Sequence, residues 1–171
     1  YDDIKSGSYK TITNADKWYN DQVTYPFGYG LSYTTFKWEL VGAGQGEIKS
    51  ANETVTLKVK VTNTGKVAGK DVVQMYANPP YTLGGIEKSS ANLVAFAKTD
   101  TLKPGESQTV TLQCVAQDFA SFDWNDANNN GFKGYELEKG DYTISVNKNA
   151  HEEVFSVKRN VKEDIKCETD Y

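Results

Sequence analysis

The chain has 171 residues, of which 38% are hydrophobic and 25% charged, and its formal net charge is −4 at pH 7. This is the composition of an ordinary soluble domain that is long enough to bury a core without a metal or a disulfide. The acidic balance argues against a nucleic-acid partner, and no apolar run approaches the roughly 20 residues that a membrane-spanning helix needs. We therefore expect one domain with an extension, and neither a nucleic-acid nor a membrane partner.

Residues 1–33 show little alternation of polar and apolar positions, and an unusually aromatic segment begins near their end. Residues 25–36 read YPFGYGLSYTTF, in which five of the twelve side chains are aromatic. Pro26 lacks a backbone N–H, and Gly28 and Gly30 permit backbone angles closed to other residues, so neither a regular helix nor a regular strand is expected. Two interpretations are open: an aromatic loop that plugs the core of this chain, or rings that cover a surface outside it.

Beyond residue 34, apolar and polar positions alternate with a period of two, which is typical of half-buried β-strands. The clearest run is residues 54–62, where every second side chain is Val or Leu. Residues 93–97 form a short apolar run without clear alternation. Five further runs complete a set of seven predicted strands: residues 36–40, 73–77, 110–114, 142–146 and 155–157.

Turn-forming residues separate these runs, as at Asn63-Thr64-Gly65, Pro104-Gly105 and Gly140-Asp141. No segment of ten or more residues combines a convincing 3.6-residue period with helix caps. Seven short strands joined by such turns predict an all-β fold, an antiparallel β-sandwich of immunoglobulin or fibronectin type III-like form. The Cys-Trp-Cys spacing of true immunoglobulin domains is missing, which favours the fibronectin type III-like variant.

The pattern divides the chain into three segments. We expect a lead-in at residues 1–33, the sandwich at residues 34–158, and a charge-rich exit linker at residues 159–171. Cys114 falls on the apolar side of a predicted strand and Cys167 lies in the charged tail. Two isolated thiols in a reducing compartment, such as bacterial cytoplasm, are favoured over a disulfide in a secreted protein.

Several motifs match a known family. The sequence at residues 25–36 resembles the stretch that leads into the fibronectin type III-like domain of glycoside hydrolase family 3 enzymes, which are mostly β-glucosidases. The resemblance extends over about residues 23–158. The further matching stretches are VTNTG at 61–65, VVQMY at 72–76, LKPGES at 102–107, FASFD at 119–123 and GDYTI at 140–144.

The resemblance implies a domain without a catalytic site. Retaining hydrolysis of a glycoside needs two carboxyl groups about 5–5.5 Å apart, and in this family they lie on a (β/α)₈ barrel and an α/β-sandwich domain, neither of which is in this chain. Asp123-Trp124 matches the family's nucleophile only as a dipeptide. We expect a non-catalytic accessory domain, without a cofactor, that packs on and positions the catalytic domains of the same parent polypeptide. The expected contact residues are Tyr25, Phe27, Tyr29, Leu31 and Tyr33.

The tail adds a point about domain order. Residues 163–170, EDIKCETD, resemble the linker of family members in which the fibronectin type III-like domain precedes the barrel. This implies that the chain comes from the middle of a larger β-glucosidase of reversed domain order.

Two other functions remain alternatives. A carbohydrate-binding module stacks sugars on exposed aromatic rings, and a weak glycan contact of that kind would use Tyr76, Tyr81, Trp124 and Tyr135. A cell-surface adhesion or spacer module is the other alternative, because the fold alone does not determine function.

One loop resembles a calcium site. Asp126, Asn128 and Asn130, followed by Gly131, match the first half of an EF-hand loop. The position that should carry a bidentate Glu is Leu137, so the register fails at the strongest ligand. An asparagine-rich connection without a metal is therefore favoured over a calcium site.

Overall fold

The computed structural model describes residues 22–44 and 46–167 of the chain. Within these ranges the chain forms ten β-strands and a short 3₁₀ helix, Ala116–Phe119, and contains no helix that is long and apolar enough to cross a membrane. The strands are β1 (Phe36–Ala43), β2 (Thr54–Asn63), β3 (Val72–Asn78), β4 (Asn92–Lys98), β5 (Ser107–Val115), β6 (Ser121–Asp123), β7 (Gly134–Leu137), β8 (Gly140–Asn149), β9 (Glu152–Val161) and β10 (Ile165–Lys166).

Two antiparallel sheets form the sandwich. One has the strand order β1-β2-β5 and the other the order β4-β3-β8-β9. These seven strands coincide with the seven alternating or apolar runs of the sequence. The prediction of an all-β, antiparallel sandwich is therefore confirmed.

The core lies between the two sheets. On β2, Val55, Leu57, Val59 and Val61 are all buried, whereas the Lys and Thr side chains between them lie nearer the surface. Burying side chains of this kind contributes about 1.5–3 kcal/mol each, which fixes the register of β2 against its neighbours. Cys114 of β5 belongs to the same core, and both it and Cys167 are buried free thiols.

A third, small sheet has the order β10-β7-β6. Ile165 pairs with Leu137, and the N–H of Cys167 donates to the carbonyl of Tyr135 at 2.8 Å. Ordered pairing thus continues beyond β9 into residues of the expected exit linker. The division into three segments stays a prediction, because pairing within the chain does not establish which part acts as a linker.

Arg159 ties the connection between β1 and β2 to the second sheet. Its side chain is 4% exposed, and its guanidinium donates to the carbonyl of Gly46 at 2.9 Å and to Glu53 Oε1 at 2.5 Å. The neighbouring N–H of Ile48 donates to the carbonyl of Asn160 at 2.8 Å. A buried cation held in this way fixes the position of residues 46–53 along the edge strand β9.

Candidate interaction surface

The described part of the lead-in, residues 22–33, lies against the outer face of β3. The N–H of Ala150 donates to the carbonyl of Phe27 at 2.8 Å, and Gln74 Nε2 donates to the carbonyls of Gly28 at 2.9 Å and Lys148 at 3.0 Å. Gln74 and Tyr76 alternate with the core residues of β3 and are nonetheless buried. The lead-in therefore takes the place of solvent on this side of the strand.

Gly28 makes the close approach possible. Its φ is +80°, and a Cβ placed there would lie 2.2 Å from Gln74 Oε1. Gly28 lies within a turn in which the N–H of Tyr29 donates to the carbonyl of Pro26 at 3.0 Å. Only glycine fits both the backbone angle and the space at this position.

The five expected contact residues all lie on the surface. Their exposed fractions run from 45% for Tyr29 to 100% for Tyr33, and the rings of Tyr25 and Tyr29 lie 5.1 Å apart, centroid to centroid. We call this set, Tyr25, Phe27, Tyr29, Leu31 and Tyr33, the aromatic row. The row is an apolar surface whose backbone is hydrogen-bonded to the sandwich at Phe27 and Gly28.

A groove of about 450 Å³ opens beside the aromatic row. It lies between the lead-in and residues of both sheets, from β1 of the first sheet and from β3, β4 and β8 of the second. Lys70, Lys98 and Lys148 are among the residues that line it. Asp71 lies in its wall, where Oδ2 accepts a hydrogen bond of 2.6 Å from Trp38 Nε1 and Oδ1 accepts one of 3.0 Å from the N–H of Val72. Burial raises the pKa of Asp71, against the lowering effect of these two hydrogen bonds.

The groove does not have the geometry of a glycosidase site. Among the residues described as lining it, Asp71 is the single carboxyl group, whereas retaining hydrolysis needs a pair. Asp123 of the dipeptide Asp123-Trp124 lies away from the groove and is buried. Its Oδ1 accepts hydrogen bonds from the N–H groups of Asn125 and Ala127, both at 3.1 Å, so it shapes a turn.

The four expected glycan-binding residues are not brought together as a set. Tyr76 is only 1% exposed, and its hydroxyl donates to Gln74 Oε1 at 2.8 Å, so its ring face is not available to a sugar. Trp124, Tyr135 and Tyr81 are exposed. The ring of Tyr135 packs against the exposed ring of Phe122, with 5.0 Å between centroids and 57° between the ring planes. The alternating pattern of the sequence did not single out Phe122. A glycan contact at these exposed rings stays a prediction.

The asparagine-rich loop is held by hydrogen bonds to a buried carboxylate. Asn128 Nδ2 and Asn130 Nδ2 donate to the two oxygens of Glu136 at 3.2 and 2.5 Å, and Asn130 Nδ2 also donates to Asp164 Oδ2 at 3.1 Å. Asp126 Oδ1 accepts from the N–H of Gly131 at 3.0 Å. Burial raises the pKa of Glu136, with a smaller raising effect from Asp164.

These contacts bear on the calcium hypothesis. A calcium ion needs oxygen ligands, whereas the two asparagines direct N–H groups toward Glu136. Within residues 22–44 and 46–167, no cluster of three or more His, Cys, Asp or Glu side chains could hold a metal ion. A calcium site at Asp126, Asn128 and Asn130 thus stays an untested hypothesis without support from this geometry.

Comparison with known proteins finds one matching family and a consistent set of relatives. Residues 71–150 match the family model described as fibronectin type III-like domain. Beta-glucosidase A of Butyrivibrio fibrisolvens is 39% identical over 144 residues, which cover 78% of this chain and 16% of that protein. A beta-xylosidase of Formosa agariphila is 42% identical over 122 residues, which cover 71% of this chain and 15% of that protein.

A solved structure of a beta-glucosidase is also similar to this chain. A beta-glucosidase of Paenibacillus barengoltzii superposes with a TM-score of 0.72 at 40% identity, over 81% of this chain and 14% of the other. The chain therefore spans about a sixth of the length of the relatives that it matches.

Proposed function

Because this chain carries the fibronectin type III-like domain found in β-glucosidases of glycoside hydrolase family 3, we propose that it serves as a non-catalytic accessory domain in a longer hydrolase of that kind. Hydrolysis, with retention at the sugar, would belong to other domains of the same polypeptide. The role of this chain in carbohydrate degradation is then to pack on those catalytic domains and hold their relative position.

The observation that carries the proposal is the aromatic row on its anchored backbone. Aromatic side chains bury roughly 150–250 Å² each in cores and interfaces. Even partial burial of the row would supply a large share of an interface between domains, which covers about 600–1,500 Å². Because the backbone of the lead-in is already bonded to Ala150 and Gln74, little conformational entropy is lost when the row is covered.

The positions of the two flanking segments support a positioning role. The lead-in is bonded to Ala150, which follows the last residue of β8, whereas β10 pairs with β7 just before β8 begins. β8 has ten residues, which at about 3.3 Å per residue separates its ends by roughly 30 Å. We propose that the domain acts as a rigid spacer between the segments on either side, with the barrel following in the reversed domain order.

The test uses two exposed leucines as a matched pair. Leu31 in the aromatic row is 89% exposed and Leu83, outside it, is 90% exposed. In the 171-residue chain, we expect Leu31→Asp and Leu83→Asp to leave the melting temperature unchanged, because both side chains face water. In the full-length polypeptide, we expect Leu31→Asp to lower the free energy of unfolding by about 2–3 kcal/mol and to lower the melting temperature. The reason is that the variant loses an apolar contact and buries a charge.

Differential scanning calorimetry measures the melting temperature of Leu31→Asp and Leu83→Asp, each in the 171-residue chain and in the full-length polypeptide. A drop for Leu31→Asp in the full-length polypeptide alone, with Leu83→Asp unaffected, supports the interface. Equal behaviour of the two variants in the full-length polypeptide would show that the row is not covered there.

A further inference from the structure

The groove beside the aromatic row concentrates positive charge in a chain whose net charge is −4. Lys70 precedes β3, Lys98 ends β4 and Lys148 lies near the end of β8, so three separate segments each contribute a lysine to the lining of one groove. Lys148 pairs with Glu152 at 2.8 Å, with both side chains more than half exposed. Lys70 and Lys98 have no carboxylate within 4.0 Å among the residues that the structure describes.

We propose that this lysine groove receives carboxylate side chains from the neighbouring domain of the same polypeptide. The inference rests on the proposed function and adds the chemistry of the partner surface. The contact would be apolar along the aromatic row and ionic beside it, with Lys70 and Lys98 as the charges that the partner's Asp or Glu residues meet.

Charge is the first argument for such an occupant. The groove walls carry three lysines and one carboxylate, and that carboxylate, Asp71, already accepts hydrogen bonds from Trp38 and Val72. Asp71 attracts Lys148, which also pairs with Glu152, whereas Lys70 and Lys98 have no carboxylate within 4.0 Å among the described residues. A partner that covers Lys70 and Lys98 without an opposite charge would bury unpaired cations, which is costly, so an adjoining surface is expected to supply carboxylates.

The length of chain outside the structure is the second argument. The matched regions make up only 16% and 15% of two relatives, so most of the surface available to the groove belongs to other parts of such a polypeptide. The anchored lead-in forms one wall of the groove, and a domain that covers the aromatic row would also reach the lysines. A competing occupant is the first part of this same chain, since Asp2, Asp3, Asp16 and Asp21 precede the described lead-in.

The experiment is zero-length carbodiimide crosslinking of the full-length polypeptide, followed by peptide mass spectrometry. This reagent joins an amine directly to a carboxylate that it touches. We expect Lys70 or Lys98 to be linked to Asp or Glu residues outside the 171-residue segment. Lys58, an exposed lysine on β2 that is not in the groove, is the matched control and should give no such links.

A pair of charge reversals supplies a second readout. Lys70→Glu with Lys98→Glu should lower the melting temperature of the full-length polypeptide and leave that of the 171-residue chain unchanged, whereas Lys58→Glu should change neither. Links from Lys70 and Lys98 only to Asp2, Asp3, Asp16 or Asp21, or yields equal to those of Lys58, would overturn the inference. The proposed interface would survive that result if Leu31→Asp still destabilised the full-length polypeptide, so the two failures are distinguishable.

Discussion

At the scale of single residues, the attachment of the lead-in depends on Gly28. An alanine there would hold a positive φ, which costs about 1–2 kcal/mol, and its Cβ would collide with Gln74. We expect Gly28→Ala to detach the lead-in locally. The N–H of Ala150, which donates to the carbonyl of Phe27, should then exchange with solvent roughly 5- to 30-fold faster.

The matched variant is Gly30→Ala, because a Cβ at Gly30 meets no atom within 4 Å. Hydrogen exchange read by NMR compares the two. If Gly30→Ala accelerates exchange at Ala150 as much as Gly28→Ala does, the close approach over β3 is not what holds the segment.

The same contact marks a limit of prediction from sequence. Alternation on β3 assigns Val73 and Met75 to one face and Tyr76 to the other, and the structure keeps that division. The sequence does not indicate that Tyr76 is buried, because the cover comes from the lead-in, about 50 positions earlier in the chain. Period tells which face a side chain is on, whereas tertiary contacts decide whether that face meets water.

At the scale of elements, the connection between β1 and β2 is held by an ion pair between buried Arg159 and partly exposed Glu53. Removing Glu53 would leave the buried guanidinium of Arg159 without its charge partner, so we expect Glu53→Ala to lower the free energy of unfolding by about 2–4 kcal/mol. Glu39 pairs with Lys37 at 3.3 Å on an exposed face, and Glu39→Ala should change stability by less than about 1 kcal/mol.

Urea denaturation of the two variants at pH 7 measures both values. The difference between them is the informative quantity, since each loses one carboxylate of the same length. If the two variants lost the same free energy of unfolding, Arg159 would have found another partner or water, and the ion pair with Glu53 would stabilise the fold no more than an exposed pair does.

Strand length explains which elements the sequence predicts. The seven sandwich strands have at least seven residues each, and in all but β4, which shows only as an apolar run, that length makes a period of two visible. β6, β7 and β10 have three, four and two residues, which is too short for any period. Their pairing joins residues near 122, 136 and 165, so the small sheet emerges only when distant segments meet.

At the scale of the whole molecule, the two parts of the surface differ in how far the sequence reveals them. The aromatic row is contiguous in sequence and its composition singles it out. The lysine groove is assembled from residues 70, 98 and 148, each unremarkable in its own stretch. Local composition thus finds a surface carried by one segment, whereas a surface built from several segments requires the strand register.

The stability of the whole fold at alkaline pH depends on its buried thiols and tyrosine hydroxyls. Burial, with a smaller contribution from Asp118, raises the pKa of Cys114 from 9.0 to about 12, and burial also raises the pKa values of Cys167, Tyr76 and Tyr142. Between pH 9 and 12 the unfolded chain releases the Cys114 proton while the folded chain retains it. The folded state then binds more protons, so the free energy of unfolding must fall as pH rises through this window.

Urea denaturation at pH 8, 9 and 9.5 gives most weight to the thiols, because a tyrosine hydroxyl with a pKa near 10 is only about a quarter ionised at pH 9.5 in the unfolded chain. We expect stability to decline over this range and Cys114→Ala to decline less steeply, even though the cavity that it leaves lowers its stability at every pH. Cys167→Ala should also flatten the curve, because that thiol is buried as well. A slope in Cys114→Ala as steep as in the unmodified chain would mean that Cys114 ionises as readily in the fold as outside it, which is incompatible with a thiol sealed between the two sheets.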